Sequence, residues 1–192
     1  GLADAVKAGE RLKGMTFAAA YCSDTTRAQM TAERILDINE QSGNSRPALI
    51  CDMHFREQFY GYFEGVDMSQ AWYAAGGPHG VKTYNEIVSR YGLAATRDWL
   101  KDADPFHDAE SDTEYWQRVA EGFALIASNA DLQDGDDVLQ ISHGNTLLSL
   151  GHRFGGSDLD LNERPANGSI TDIDFDTDKP FEQALTIVSY GK

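Results

Sequence analysis

Leu2, Ala5, Val6, Gly9 and Leu12 recur three and four positions apart and Gly14 ends the stretch, so the chain is predicted to open in an amphipathic helix. Phe17 to Cys22 is a short unbroken apolar run, the pattern of a strand covered on both faces. Ser23 and Asp24 then offer capping oxygens, and from Thr25 to about Asn39 the residues Ala28, Ala32, Ile35 and Leu36 return at helical spacing. A loop from Gly43 to Pro47 leads to a second short strand, Ala48 to Cys51. Helical periodicity is strong again from Thr113 to Asn129 through Trp116, Val119, Ala120, Phe123 and Ala127. A third apolar run, Val138 to Ser142, passes through His143 and Gly144 into a helix from Asn145 to Phe154, which Gly155 and Gly156 stop. Near the end the period becomes two: Ile173 and Phe175 alternate with Asp172, Asp174 and Asp176, and Leu185 to Val188 supplies a closing strand.

Strands that alternate with helices predict an α/β fold, a three-layer α/β/α sandwich around a mostly parallel sheet. Two stretches break the alternation. Arg56 to Gly65 is irregular and dense in aromatics and glycine, with glutamates at 57 and 64. Val66 to Asp112 holds short helical patterns punctuated by Gly76, Gly77, Pro78, Gly80, Gly92 and Pro105. Its apolar residues are too scattered to suggest a separate core, so residues 66–112 read as a small helical cap inserted into a single domain, residues 1–192. A chain of 192 residues with 41% hydrophobic content suits one such domain.

Charge narrows the partners. At a formal net charge of −15 without any run of Lys and Arg, long-range repulsion argues against nucleic acid and against anionic membranes. A small phosphate ester is still accessible, provided a few cations and backbone N–H groups converge locally. No apolar stretch is long enough to span a bilayer and the opening residues do not read as a signal peptide; a soluble, cytoplasmic protein is the expectation. Cys22 and Cys51 form no CxxC pattern and read as two small buried apolar residues. Asp131, Asp134, Asp136 and Asp137 crowd around Gly135 without EF-hand spacing, so neither metal nor cofactor is expected.

Two junctions share one design, in which a buried strand stops, a small polar loop follows and a helix begins. They are Tyr21-Cys22-Ser23-Asp24-Thr25-Thr26-Arg27 and Leu139-Gln140-Ile141-Ser142-His143-Gly144-Asn145. In open α/β sheets ligands bind outside the carboxyl ends of the strands, where helix N-termini aim unpaired N–H groups at them. Arg27 and His143 therefore make a candidate oxyanion grip. Arg27 read alone is a surface residue on a first helical turn, where a cation opposes the helix dipole and calls for an anion nearby. His143 read alone is a satisfied core histidine, but Gly144 beside it permits close approach of the backbone to a ligand. Glu57, surrounded in sequence by aromatics, has reason to resist ionisation and to act as a proton donor; Glu64 is its rival, and a packed aromatic loop is the plain alternative.

In this order the pieces resemble the histidine phosphatase superfamily, which includes the cofactor-dependent phosphoglycerate mutases. Ser23-Asp24-Thr25-Thr26-Arg27-Ala28-Gln29-Met30-Thr31-Ala32 is similar to the family's S-[SD]-x-x-R-A-x-x-T-A motif. Glu57 to Gly65 resembles its E-x-x-x-G-x-x-E-G segment, Ser142-His143-Gly144-Asn145 its second-histidine motif, and Asn167-Gly168-Ser169-Ile170-Thr171 a later strand. The resemblance implies that Arg27 contacts the phosphoryl group, His143 stabilises it in transfer and Glu57 donates the proton, with Ser23, Gly144 and Asn145 as further binding residues. It departs in one respect: the family's opening Arg-His-Gly tripeptide, which carries the nucleophile, does not occur in this chain. Truncation or omission of an upstream segment is the reading preferred over evolutionary loss. His54, His79, His107 and His152 are read as structural or solvent-facing, His107 with a place at a substrate pocket as its alternative.

The implied activity is metal-free hydrolysis of small phosphate monoesters through a phosphohistidine. Phosphoglycerate mutase-type transfer and a noncatalytic phospholigand-binding domain are the rivals.

Overall fold

A computed structural model describes all 192 residues. The three apolar runs become a parallel sheet, β1 (Phe17–Cys22), β2 (Leu49–Cys51) and β3 (Asp137–Gln140), in the order β2-β1-β3. The central place of β1 explains its composition: all but one of its residues are buried, so both faces must be apolar. On one face α1 (Leu2–Leu12) and α2 (Thr26–Gln41) build a core in which Ala8, Ile35 and Leu36 meet Phe17, Ala20 and Leu139. A Cβ on Gly9 would stand 2.7 Å from Ile38 Cδ1 and 3.4 Å from Ile38 Cβ, so α1 and α2 pack closely at this point, and a larger residue there would displace the Ile38 side-chain end. On the other face Tyr21 packs against Phe55, ring centres 5.5 Å apart, and its hydroxyl accepts a hydrogen bond from Asn129 Nδ2 at 2.8 Å.

The chain divides into two compact units, Gly1–Glu57 with Glu121–Lys192, and Gln58–Ala120. The second unit holds α3 (Met68–Gly76), α4 (Tyr84–Tyr91), α5 (Leu93–Ala103) and the first part of α6 (Asp112–Ala127). The scattered apolar residues of this stretch do assemble a core, contrary to the expectation above: Phe63, Ala71, Trp72, Ala75, Val81, Ile87 and Leu100 cluster together. Each short helix contributes only one to three of them, so no single window displays the pattern. Side chains fix the boundaries, with Asp67 accepting from Ser69 N at the start of α3 and Thr83 from Glu86 N at the start of α4.

Buried polar groups hold the rest of that unit. Arg97 is 1% exposed, donates to Asp112 Oδ1 at 2.8 Å and lies 3.9 Å over the Tyr115 ring. Asp104, fully buried, accepts from the backbone N–H groups of Tyr62, Phe106, Asp108 and Ala109.

In the first unit α7 (Gly144–Phe154) follows β3, and β4 (Asp172–Phe175), α8 (Phe181–Ala184) and β5 (Leu185–Ser189) close the chain. β4 and β5 pair antiparallel in a two-stranded ribbon separate from the parallel sheet. Phe123 joins them through Phe175 and Phe181, with Phe154 of α7 against Phe181. The α/β class and the parallel sheet covered by helices thus agree with the periodicity. The late alternation also gives a strand whose aspartates at 172 and 174 are exposed while Ile173 and Phe175 turn inward.

Candidate functional site

Adjacent parallel strands end at the same edge, and the two junctions read from the sequence therefore lie side by side. Tyr21 pairs with Gln140, and Ile141 N donates to Tyr21 O at 2.9 Å. The end of β2 joins them, since Asp52 N donates to Cys22 O at 3.0 Å. Three segments thus leave one sheet edge together: Ser23 to Arg27, Asp52 to Glu57, and Ser142 to Thr146.

Side chains then knit the segments. Arg56 forms a bidentate pair with Asp24, 2.6 Å from Nε to Oδ1 and 2.7 Å from Nη2 to Oδ2, which fastens the loop before α2 to the residue preceding Glu57. The hydrogen bond from Arg56 holds the Asp24 carboxyl below the ordinary carboxylate range. Glu57 in turn reaches the start of α7. Its carboxyl accepts from Asn145 N at 2.8 Å, Thr146 N at 3.4 Å and Thr146 Oγ1 at 2.7 Å.

This corrects the picture of Glu57 as a group walled in by rings. The aromatics of its segment turn elsewhere, Phe55 onto Tyr21 and Tyr60 toward Trp72, while the carboxyl faces a helix N-terminus, whose partial positive charge attracts it. Glu64 accepts from Tyr60 N at 2.8 Å within its own turn. Gly61, between the two glutamates, has φ +58°, and a Cβ there would collide with Asp104 Oδ2 and Ala109 N; the glycine of the motif is a packing requirement.

The two helix starts differ. Glu57 occupies two of the N–H groups at the beginning of α7, and His143, half-buried, is the residue from which that helix departs. The first turn of α2 has neither a side-chain cap hydrogen bond nor an acidic residue, so none of its N–H groups is bonded by a capping side chain. Arg27 sits in that turn, exposed and without a hydrogen bond or ion pair. Ser23 is buried, its hydroxyl 2.8 Å from Thr25 Oγ1, and Asn145 is 3% exposed. Gly144 has no positive φ, and a Cβ there would meet the Arg164 side chain at 3.4 Å.

Two arginines escaped the sequence reading. Arg56 carries no periodic or motif signal that separates it from a surface residue, and Arg164 lies over Gly144 from a loop far along the chain. The remaining histidines have local partners. His54 lies between Asp52 (Nδ1, 2.5 Å) and Glu121 (Nε2, 3.0 Å), His79 stacks on Trp99 at 3.7 Å, and His107 and His152 face the carbonyls of Lys101 and Leu161. No group of three or more His, Cys, Asp or Glu is arranged to hold a metal ion, and no helix is long and apolar enough to cross a membrane.

Comparison with known proteins places this geometry in a family. The model of the histidine phosphatase superfamily (branch 1) matches residues 1–187. A 2,3-bisphosphoglycerate-dependent phosphoglycerate mutase of Bartonella tribocorum is 39% identical over 157 residues, and one of Brucella anthropi is 31% identical over 153; each alignment takes in 78% of this chain and 65% of the relative. The chain thus spans somewhat less than two thirds of the length of these relatives. The crystal structure of phosphoglycerate mutase from Bacillus anthracis str. Sterne superposes with a TM-score of 0.81 at 28% identity, covering 100% of this chain and 79% of that one. The chain belongs to branch 1 of the histidine phosphatase superfamily.

Proposed function

We propose that this chain belongs to an enzyme that hydrolyses small phosphate monoesters through a phosphohistidine, with Arg27, His143 and Glu57 as its phosphoryl-handling residues. The observation that carries the reading is the chain of contacts from Asp24 through Arg56 and Glu57 to the first turn of α7. It ties the segments bearing all three residues to one sheet edge. Residues 66–112 serve in this reading as the helical cap insertion that selects the substrate, within one functional domain. The proposed partner is a small phosphorylated molecule, and the proposed location is the cytoplasm.

The nucleophile of this mechanism is a histidine, which the family carries in an Arg-His-Gly tripeptide absent from residues 1–192. Its ring nitrogen attacks phosphorus in line as the bond to the ester oxygen breaks. Arg27, the open first turn of α2 and His143 hold the equatorial oxygens, whose charge grows in the transition state. The Glu57 carboxyl, in its acid form, gives its proton to the departing alkoxide; as carboxylate it then takes a proton from the water that attacks the phosphohistidine. Ser23, Gly144 and Asn145 shape the two loops, Ser23 and Asn145 from buried positions.

A second reading, transfer of the phosphoryl group to another hydroxyl of the same molecule, is favoured by the names of the relatives, which are phosphoglycerate mutases. One experiment addresses both. The protein produced with its complete encoded N-terminus is incubated with 3-phosphoglycerate and with a panel of phosphate monoesters. Free phosphate released with an acid-labile phosphohistidine adduct supports hydrolysis, and isomerised phosphoglycerate supports the mutase. Turnover without any adduct, or no turnover on any ester, overturns the phosphohistidine mechanism.

A further inference from the structure

Cys22 and Cys51 are 29 positions apart in sequence yet their sulfurs lie 3.5 Å apart. The two residues are direct partners at the last rung of the parallel β1–β2 pairing, so their side chains leave the same face of the sheet. Directly paired neighbours in a sheet lie about 4.8 Å apart at the backbone, within the ~4.4–6.8 Å that a disulfide spans. Both the rung pairing and the 3.5 Å sulfur separation thus lie within reach of a disulfide. They also differ in a useful way: Cys22 is fully buried, packed with Ala28 and Ala32 of α2, whereas Cys51 is exposed. The expectation that both are small buried apolar residues fails for Cys51, which is exposed because β2 is an edge strand only three residues long.

We propose that Cys22 and Cys51 form a thiol–disulfide exchange site that reacts with small-molecule disulfides such as oxidised glutathione. The exposed Cys51 thiolate attacks one sulfur of the oxidant, whose S–S bond breaks, and the first glutathione departs as a thiol with the proton that Cys51 gave up. Cys22 then attacks the Cys51 sulfur. A Cys22–Cys51 bond forms, the mixed disulfide breaks, and the second glutathione leaves with the proton of Cys22. Two protein thiols are oxidised by two electrons and one glutathione disulfide is reduced to two thiols. Burial, reinforced by the contact with Cys51, pushes the Cys22 thiol up to about 12, which gives Cys51 the attacking role and makes closure by Cys22 the slow step.

The bond acts where the candidate site is built. Forming it shortens the sulfur separation from 3.5 Å to about 2.05 Å. Cys22 is followed by Ser23 and the loop to Arg27; Cys51 is followed by Asp52, whose carboxyl accepts from His54 N and starts the turn leading to Arg56 and Glu57. A pull at this rung therefore shifts two of the three segments against each other. This consequence, unlike the exchange itself, rests on the function proposed above.

The test incubates the protein in glutathione redox buffers, blocks remaining thiols by alkylation and maps the peptides by mass. The expected result is an intramolecular Cys22–Cys51 linkage, seen as the loss of two hydrogen atoms, reversed by excess reduced glutathione, and replaced by a stable glutathione adduct on Cys51 in Cys22→Ala. Persistence of both free thiols under oxidising buffer, or a Cys51 adduct in the unsubstituted protein that never converts to the linkage once equilibrium is reached, overturns the proposal. Inorganic phosphate binding is measured on the same samples and is expected to weaken several-fold on oxidation and not in Cys51→Ala. Equal phosphate affinity in both redox states overturns the regulatory consequence, while absence of phosphate binding in either state counts against the proposed function and leaves the linkage to be decided by mass.

Discussion

Single residues in this chain do their work by position more than by type. Gly61 has the left-handed φ of +58° and leaves no space for a Cβ between Asp104 and Ala109. Gly61→Ala is expected to cost roughly 2–4 kcal/mol, through backbone strain and disruption of the four bonds to Asp104, seen as a lower urea midpoint. Stability within 0.5 kcal/mol or so of the parent, the range of an ordinary surface change, would contradict the packing account.

What was legible at this scale follows the same division. Arg27, Glu57 and His143 stood out because each lies in a motif of fixed spacing. Arg56 and Arg164 were hidden, since an arginine in a loop acquires its meaning only from what lies opposite it. The surroundings of Glu57 were misread because sequence neighbours on an irregular segment point in different directions, and the Asn145 and Thr146 donors are 88 and 89 positions away.

At the scale of elements, periodicity located the long helices and the buried strands, since burial against a sheet imposes a repeat on both. The residues 58–120 were less readable. Their core draws a few residues from each of several short helices, and their polar anchors, Arg97 with Asp112 and Asp104 with four N–H groups, have no periodic trace. These anchors predict an acid response. Burial pushes Asp104 up, but its four backbone donors outweigh that and hold it below the ordinary 3.8, while Glu114, bonded by Lys101 and Ser111, falls from 4.5 to about 2. A carboxyl depressed in the folded state contributes stability that is complete above its unfolded value and is lost as pH falls through the folded one. Urea stability of the protein is therefore expected to decline between about pH 4.5 and 2, and Glu114→Gln to flatten part of that decline. An acid limb unchanged in Glu114→Gln would show that its partners contribute nothing.

For the molecule as a whole, the α/β class emerged from the alternation of patterns, whereas the division at Glu57 and Glu121 did not. The break falls inside α6, where an unbroken helical repeat gives no signal of a change in surroundings. Net charge acts at this scale too. With −15 on 192 residues, self-repulsion opposes the compact state and is screened by salt. Thermal stability should rise from low to physiological ionic strength; a fall would mean that individual ion pairs such as Arg56–Asp24 outweigh the global field.

The central claim is that the segments carrying Arg27, His143 and Glu57 meet at one sheet edge to handle a phosphoryl group. Its most direct test is the rate of phosphate-ester turnover by the protein with its complete encoded N-terminus, compared with Arg27→Ala, His143→Ala and the double variant, each checked for unchanged folding. Each single change is expected to lower kcat/KM by about 10²-fold or more, and the double change by less than the product, because both groups act on the same oxygens. Turnover unaffected by either substitution would contradict the account.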